Sequence, residues 1–289
     1  MLAFGQSARP PLSAPKPAVP VLHPAPLPHP EPPNLDSIVR QSLQREMANA
    51  KALDNYVYEA SEATSTYDAG GRLSKTESKV TEFLWVGGSR YKRLVEENGK
   101  LLVGPAAVKE QHKLDVELAK RQRETPADRV KRLAEEERKR NESRQTRDEV
   151  VKAFTFKLLG EDTVAGAKCW KVLAEPRPGY EGITRISRLF SKMRGTIWVN
   201  QQGYEWLRVE AETLDAITFG GFLAKLDKGS TFRLEQMRVN EELWAMRQLS
   251  TRVTARALLM RFNQGQQIDF RNYRKFSAES RLMEGTTSP

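Results

Sequence analysis

From residue 54 onward the chain is built of short runs in which apolar and polar side chains alternate, the period of a strand with two different faces. Tyr56, Tyr58 and Ala60 alternate with Val57 and Glu59. Glycine-bearing segments at 68–71 and 87–88 punctuate the runs, and Asn98-Gly99 is a strong hairpin signal. Strands are predicted over 72–86, 91–95 and 101–103, then over 154–158 and 168–173, with a turn at 160–162 and a loop at 176–180. The stretch 183–193 reads either as a long loop or as one helical turn. From 195 to 276 the pattern is a continuous meander. Its strands are expected at 196–199, 204–211, 231–239, 244–256, 257–262 and 267–276, with turns at 200–203, 220–221, 227–229, 240–241 and 263–265. No period of 20–50 residues repeats, which argues against a propeller or a solenoid.

Two segments have the helical period instead. Leu35, Ile38, Val39, Leu43 and Met47 recur along 35–52, with Asn34 or Asp36 available as the cap. Over 106–150, Ala107, Val108, Leu114 and Leu118 lie close to one face. Thr125-Pro126 with Asp128 then marks the start of a new helix. Val130, Leu133 and Ala134 give it a short apolar side, but no apolar residue occurs between Glu135 and Glu149. The expectation is a helical hairpin inserted among the strands, its far end projecting into water as a lid, a partner arm or a solvated insertion. The fold class is therefore mainly β (α+β): a long antiparallel sheet with an N-terminal helix and a charged helical hairpin. A single domain is expected over 34–276.

The ends differ in composition. Residues 10–33 hold 11 of the 16 prolines, which excludes helix and sheet and describes an extended spacer. The first eight residues resemble the tail of a signal peptide, small residues following a short apolar piece, so the start is expected to lie inside such a signal. Residues 277–289 are expected to be a flexible tail. No run of about 20 apolar residues occurs. The net charge of +10 suggests nucleic acid at first sight. Its basic groups are spread singly through strand-like sequence, however, which describes a mildly cationic surface and no nucleic-acid arm.

Familiar catalytic signatures are missing. The nearest approach to a nucleotide loop, Val86-Gly87-Gly88-Ser89, lacks the lysine and the following helix. No Gly-x-Ser-x-Gly elbow occurs, and Cys169 sits in an apolar run as a small buried hydrophobe. His23 and His29 lie in the proline-rich segment and His112 in a charged helix, so no ordinary metal site is formed. Glu205, Glu210 and Glu212 alternate with apolar residues as an exposed strand face does. A non-enzymatic protein without cofactor is expected. Apolar residues on both faces of the late strands point to a sheet covered on one side and lining a cavity on the other, or else to a two-layer core. The candidate wall is Trp198, Trp206, Phe232, Trp244 and Met246. Trp198 and Trp206 are expected to be neighbours on paired strands, with Ile197, Leu207 and Val209 on the opposite face.

Several segments carry a resemblance: Gly195-Thr196-Ile197-Trp198-Val199-Asn200, Tyr204, Leu207-Arg208-Val209-Glu210-Ala211, Asp215-Ala216-Ile217-Thr218-Phe219-Gly220, and the closing 269–276. Together with the order of elements they make the chain resemble the periplasmic outer-membrane lipoprotein carrier superfamily (LolA-like), and within it the lipoprotein-sorting branch. The resemblance implies an incomplete β-barrel whose helices plug an apolar concavity that receives acyl chains. It also implies a periplasmic, monomeric protein whose partner is an acylated lipoprotein or lipid, or an envelope membrane protein. Related sheets serve envelope-stress regulators, so a regulatory interaction protein is the alternative.

Overall fold

The computed structural model describes residues 34–219, 224–257 and 260–276; the expected spacer at 1–33, the turn at 220–221 and the tail at 277–289 lie outside them. Helix α1 (Leu35–Ala52) occupies the span its periodicity predicts. Asn34 caps it, its side-chain oxygen accepting the Ser37 N–H at 3.2 Å, and Asp36 and Lys51 suit the two ends of the macrodipole. A 3-10 turn (Leu53–Asn55) leads into β1 (Tyr56–Tyr67), β2 (Leu73–Val86), β3 (Ser89–Glu97) and β4 (Lys100–Leu101). Asn98 and Gly99 both have positive φ, 50° and 75°, the conformation a two-residue primed hairpin needs. Two helices follow, α2 (Pro105–Gln122) and α3 (Pro126–Ala153). Thr125 caps α3 by accepting the Asp128 N–H, as its sequence predicts.

The remaining strands are β5 (Phe154–Val164), β6 (Ala167–Pro176), β7 (Met193–Asn200), β8 (Trp206–Thr213), β9 (Ile217–Phe219), β10 (Ala224–Leu226), β11 (Thr231–Arg238), β12 (Trp244–Ala257) and β13 (Met260–Lys275). A 3-10 helix (Ser187–Lys192) sits before β7, in the stretch whose sequence is ambiguous. All thirteen strands join one antiparallel sheet in the order β4-β3-β2-β1-β13-β12-β11-β8-β7-β6-β5, with β9 and β10 attached beside β12. β4 and β5 do not pair, so the curved sheet is open and is not a closed barrel.

Three local expectations are corrected. The predicted turn at 160–162 lies inside β5: Gly160, at φ 131°, absorbs a register shift as a bulge, and the chain turns at Ala165-Gly166 instead. The predicted turn at 263–265 lies inside β13. Gly265 pairs with both Ser65 and Arg252, and the Tyr67 ring fills the space left by the missing side chain. The strand expected at 101–103 shrinks to the two residues of β4.

The helical hairpin is helical throughout, but it does not project into water. α2 buries Leu114 against Leu84 and Val86, with Tyr91 beside them, while Val108 and Leu118 are exposed. α3 begins at the β2–β3 turn, where Arg132 donates to Ser89 Oγ at 3.1 Å and to the Gly87 carbonyl at 3.0 Å. Along the stretch without apolar residues, Arg140 lies over the Trp85 ring at 5.9 Å and 3.5 Å from Asp54, and Thr146 meets Thr184 at 2.8 Å. Glu149 is buried and accepts from Tyr180 Oη at 2.8 Å. The helix is docked by hydrogen bonds, ion pairs and a cation–π contact, which a search for apolar periodicity does not see. Its 28 residues span about 42 Å, from the hairpin near one edge of the sheet straight into β5 at the other.

The 3-10 helix against which α3 rests depends on Gly182. A Cβ at that position would lie 2.3 Å from the backbone of Ser187 and Arg188. Gly182→Ala is expected to cost about 1–3 kcal/mol in denaturant unfolding. Gly70→Ala, where a Cβ meets only ordinary contacts, should stay within about 0.5 kcal/mol.

Candidate functional site

Strand pairing builds one apolar row across the sheet. Leu158 pairs with Val172, Val172 with Ile197, Ile197 with Val209, Val209 with Leu234, Leu234 with Leu249, and Leu249 with Ile268. Paired residues point to the same face, so seven strands contribute to a strip about 29 Å long at a spacing of about 4.8 Å. The row ends at Glu62, opposite Ile268, which is ion-paired with Lys79 at 3.1 Å.

Helix α1 covers only the first part of this row. Ile38, Val39 and Leu43 pack on Val172, Ile197 and Val199, with Leu158 and Val209 at the margin. Leu234, Leu249 and Ile268 continue the same face half-buried. Phe270, Phe83 and Leu94 extend it: Ala60 pairs with Phe270 and with Thr81, and Thr81 pairs with Leu94. Tyr58 stacks on Phe83 at 4.7 Å and tilts against Phe270 and Tyr273. At the other margin Gly195, Ala211, Phe232 and Thr251 stand opposite one another in register. Two of the four carry little or no side chain; the recess of about 510 Å³ at these residues is walled by Arg194, Glu210, Glu212, Arg233 and Arg252, which alternate to the other face. The surface can hold an aliphatic chain laid across the strands.

A polar seam holds α1 to the sheet beside the row. Arg45 donates to Glu205 at 3.0 Å, and Glu205 also accepts from Asn200 at 2.8 Å. Glu46 accepts from the Trp206 N–H at 3.3 Å and from Gln236 Nε2 at 2.8 Å. Asn49 accepts from the Trp244 N–H at 3.2 Å. Trp206 Nε1, Gln236 Oε1 and Asn49 Nδ2 are buried without a hydrogen-bond partner. Such groups cost about 1–3 kcal/mol each, so lifting α1 forfeits less than a fully paired seam would. Removal from water pushes the Glu46 carboxyl up from the ordinary 4.5 to about 7, against the lowering effect of its two hydrogen bonds and of Arg147.

The five residues of the expected wall fall on two faces. Trp198 pairs with Arg208, but Val199 pairs with Trp206, because Leu207 is an extra residue at a bulge. Trp206 therefore shares the α1 face with Val199, and Leu207 goes to the other side with Trp198, the reverse of the expected grouping for both residues. Phe232 stands two residues before Leu234 on the same strand and so shares the α1 face, and Met246 pairs with Gln236 on that side. Trp244 packs with Trp198, Leu207 and Cys169. Trp198 is only 5% exposed: its Nε1 donates to Asp162 at 2.9 Å, and Lys171 and Arg208 lie over its ring at 5.1 and 5.5 Å. Beyond this cluster the second face is polar, with Arg233–Glu210, Arg208–Glu235 and Arg271–Glu59 paired at 3.5, 3.4 and 3.2 Å. The expectation of two apolar faces is corrected to one. The wall omitted Leu234, Leu249 and Ile268, although each stands between polar neighbours in plain alternation.

Among the described residues no group of three or more His, Cys, Asp or Glu could hold a metal ion, and no helix is long and apolar enough to cross a membrane. No family model matches the chain, and no curated protein matches it in sequence. Solved structures do resemble it. A DUF1329 family protein from Desulfovibrio piger is 13% identical, with 84% of this chain and 93% of that one covered at a TM-score of 0.36. A domain classed as an outer membrane lipoprotein-sorting protein from Vibrio parahaemolyticus is 11% identical, with 85% and 94% covered and a TM-score of 0.38. A LolA superfamily protein from Nitrosomonas europaea is 10% identical, with 82% and 96% covered and a TM-score of 0.29. The likeness spans most of each chain at low identity, so the chemistry of the site is read from this chain's own residues.

Glu46 makes stability depend on pH with a definite sign. A carboxyl whose folded pKa is raised takes up a proton on folding, so its protonated form favours the native state. The contribution of this group is fully present below about pH 4.5 and is lost as pH rises through about 7, by about 3 kcal/mol. Glu46→Gln keeps the shape without the titration. Melting curves between pH 5 and 8 should show the decline in the parent and a flatter profile in the variant.

Proposed function

We propose that this chain is a non-catalytic binding protein of the cell envelope that holds an apolar or acylated ligand, a lipid or lipoprotein, against the uncovered part of the α1 face. The observation that carries the reading is the single apolar row, of which α1 covers only one part while Leu234, Leu249 and Ile268 stay half-buried. Each CH₂ group removed from water contributes about 0.8 kcal/mol, so a chain lying across three or four strands binds measurably without cofactor or covalent chemistry. α1 acts as a partial cover, and displacing it would lengthen the trough toward β5. The polar second face and the ion pair at the end of the row bound the surface.

A second reading, a regulatory interaction protein, is favoured by one feature. Val108, Val116 and Val130 on the helical hairpin are 68%, 52% and 67% exposed. Exposed apolar side chains on a helix pair are surface that a protein partner can cover.

The first reading is tested with a fluorescent fatty acid. Leu249→Glu places a charge in the middle of the uncovered part of the row and should abolish binding while the protein still folds. Trp198→Ala, on the other face, should cost roughly 3–5 kcal/mol of stability and leave probe affinity unchanged under folding conditions. Equal binding to the parent and Leu249→Glu would exclude the trough.

A further inference from the structure

A groove separate from the apolar row opens between the C-terminal half of α1, the middle of α3 and the β2–β3 hairpin. Its volume is about 810 Å³. Met47, Leu53 and Trp85 give it an apolar floor. Its three carboxylates are already engaged. Asp54 is shared by Arg90 and Arg140 at 3.6 and 3.5 Å, Glu136 pairs with Lys139 at 3.0 Å, and Glu137 pairs with Arg140 and Arg144. Two cations remain. Lys51, in the last turn of α1, and Arg147, half-buried on α3, make no side-chain ion pair or hydrogen bond among the described residues. The carboxylate of Glu46, on which Arg147 acts through space, is already bonded to Trp206 and Gln236.

A half-buried arginine with no ion pair or hydrogen bond among the described residues, above an apolar floor and in one groove with a lysine that also has none, is an incomplete arrangement. Water does not solvate the guanidinium fully, and the carboxylate it acts on, that of Glu46, is bonded to Trp206 and Gln236 instead. We propose that this groove binds an amphiphile with one anionic headgroup. Its chain lies against Met47, Leu53 and Trp85, and its head sits between Lys51 and Arg147. The guanidinium offers a planar fork of donors suited to phosphate or carboxylate oxygens, and the ammonium adds a point charge. The chain alone would find too short a floor, and the head alone would be held by two screened surface cations. Both parts are needed, which selects amphiphiles over free anions and over neutral lipids. The site does not rest on the apolar row being a ligand trough.

Titration calorimetry of the full chain tests it, with dodecyl phosphate, dodecyl maltoside and inorganic phosphate as probes below their micellar range. Dodecyl phosphate should bind at least about tenfold more tightly than the maltoside, and inorganic phosphate should not bind. Lys51→Gln and Arg147→Gln should each weaken dodecyl phosphate about tenfold, the worth of one charge-assisted contact, and leave the maltoside unchanged. Lys51 is exposed and Arg147 half-buried, and unchanged melting of each variant confirms the fold. In Leu249→Glu, where the trough is blocked, the headgroup preference should persist. Three results overturn the proposal: equal binding of the phosphate and the maltoside, no effect of either cation substitution, or loss of the preference in Leu249→Glu. The last would place the anion-sensitive site in the trough, and loss of maltoside binding alone would concern only the trough.

Discussion

Strand register is the constraint on which both faces of the sheet depend. Side chains alternate, so seven apolar residues meet in one row only while every pairing from β5 to β13 keeps its parity. A slip of one residue in β12 would set Gln248 or Ser250 between Leu234 and Ile268 and send Leu249 among the charges of the opposite face. The bulges are part of this bookkeeping. At Leu207 the extra residue turns Trp206 toward α1, and at Arg247 the extra residue of β12 brings Met246 opposite Gln236, which bonds Glu46. The site and the seat of its covering helix are consequences of where the ladder skips.

The regular elements were legible because their signals are local. The apolar period and cap of α1, the Asn98-Gly99 turn and the Thr125 cap all act within a few residues, and each stands where its sequence places it. The errors have one cause in common, residues whose meaning is set by a distant strand. Gly160 and Gly265 carry turn chemistry, yet one is a bulge and the other sits in mid-strand under the Tyr67 ring. The extra residue at Leu207 cannot be recognised without knowing that Val199 pairs with Trp206. Of the five expected wall residues, three share the α1 face and two do not, for that reason. Tryptophans drew attention by size, while the smaller aliphatics in strict alternation mark the open surface.

α3 shows how polar sequence can be structural. Its middle has nothing to bury, and it is seated by Arg132 on the β2–β3 turn, by Arg140 on Trp85 and Asp54, and by Thr146 on Thr184. Exposed ion pairs are individually weak, and it is the sharing of partners across elements that adds up. The same dependence on charge leaves Lys51 and Arg147 over, since the carboxylates nearby are spent on seating the helix.

The position of α3 also makes it a gauge. It starts at the hairpin near one rim of an open sheet and passes without a linker into the strand at the other rim. Among the described residues no strand pairing joins the rims, so the helix length sets the span between them. One added turn would lengthen the gauge by about 5.4 Å, and a single inserted residue would rotate every seating contact by about 100°. Length variation among relatives of this chain should therefore gather in the Arg123–Thr125 connection and avoid the helix itself.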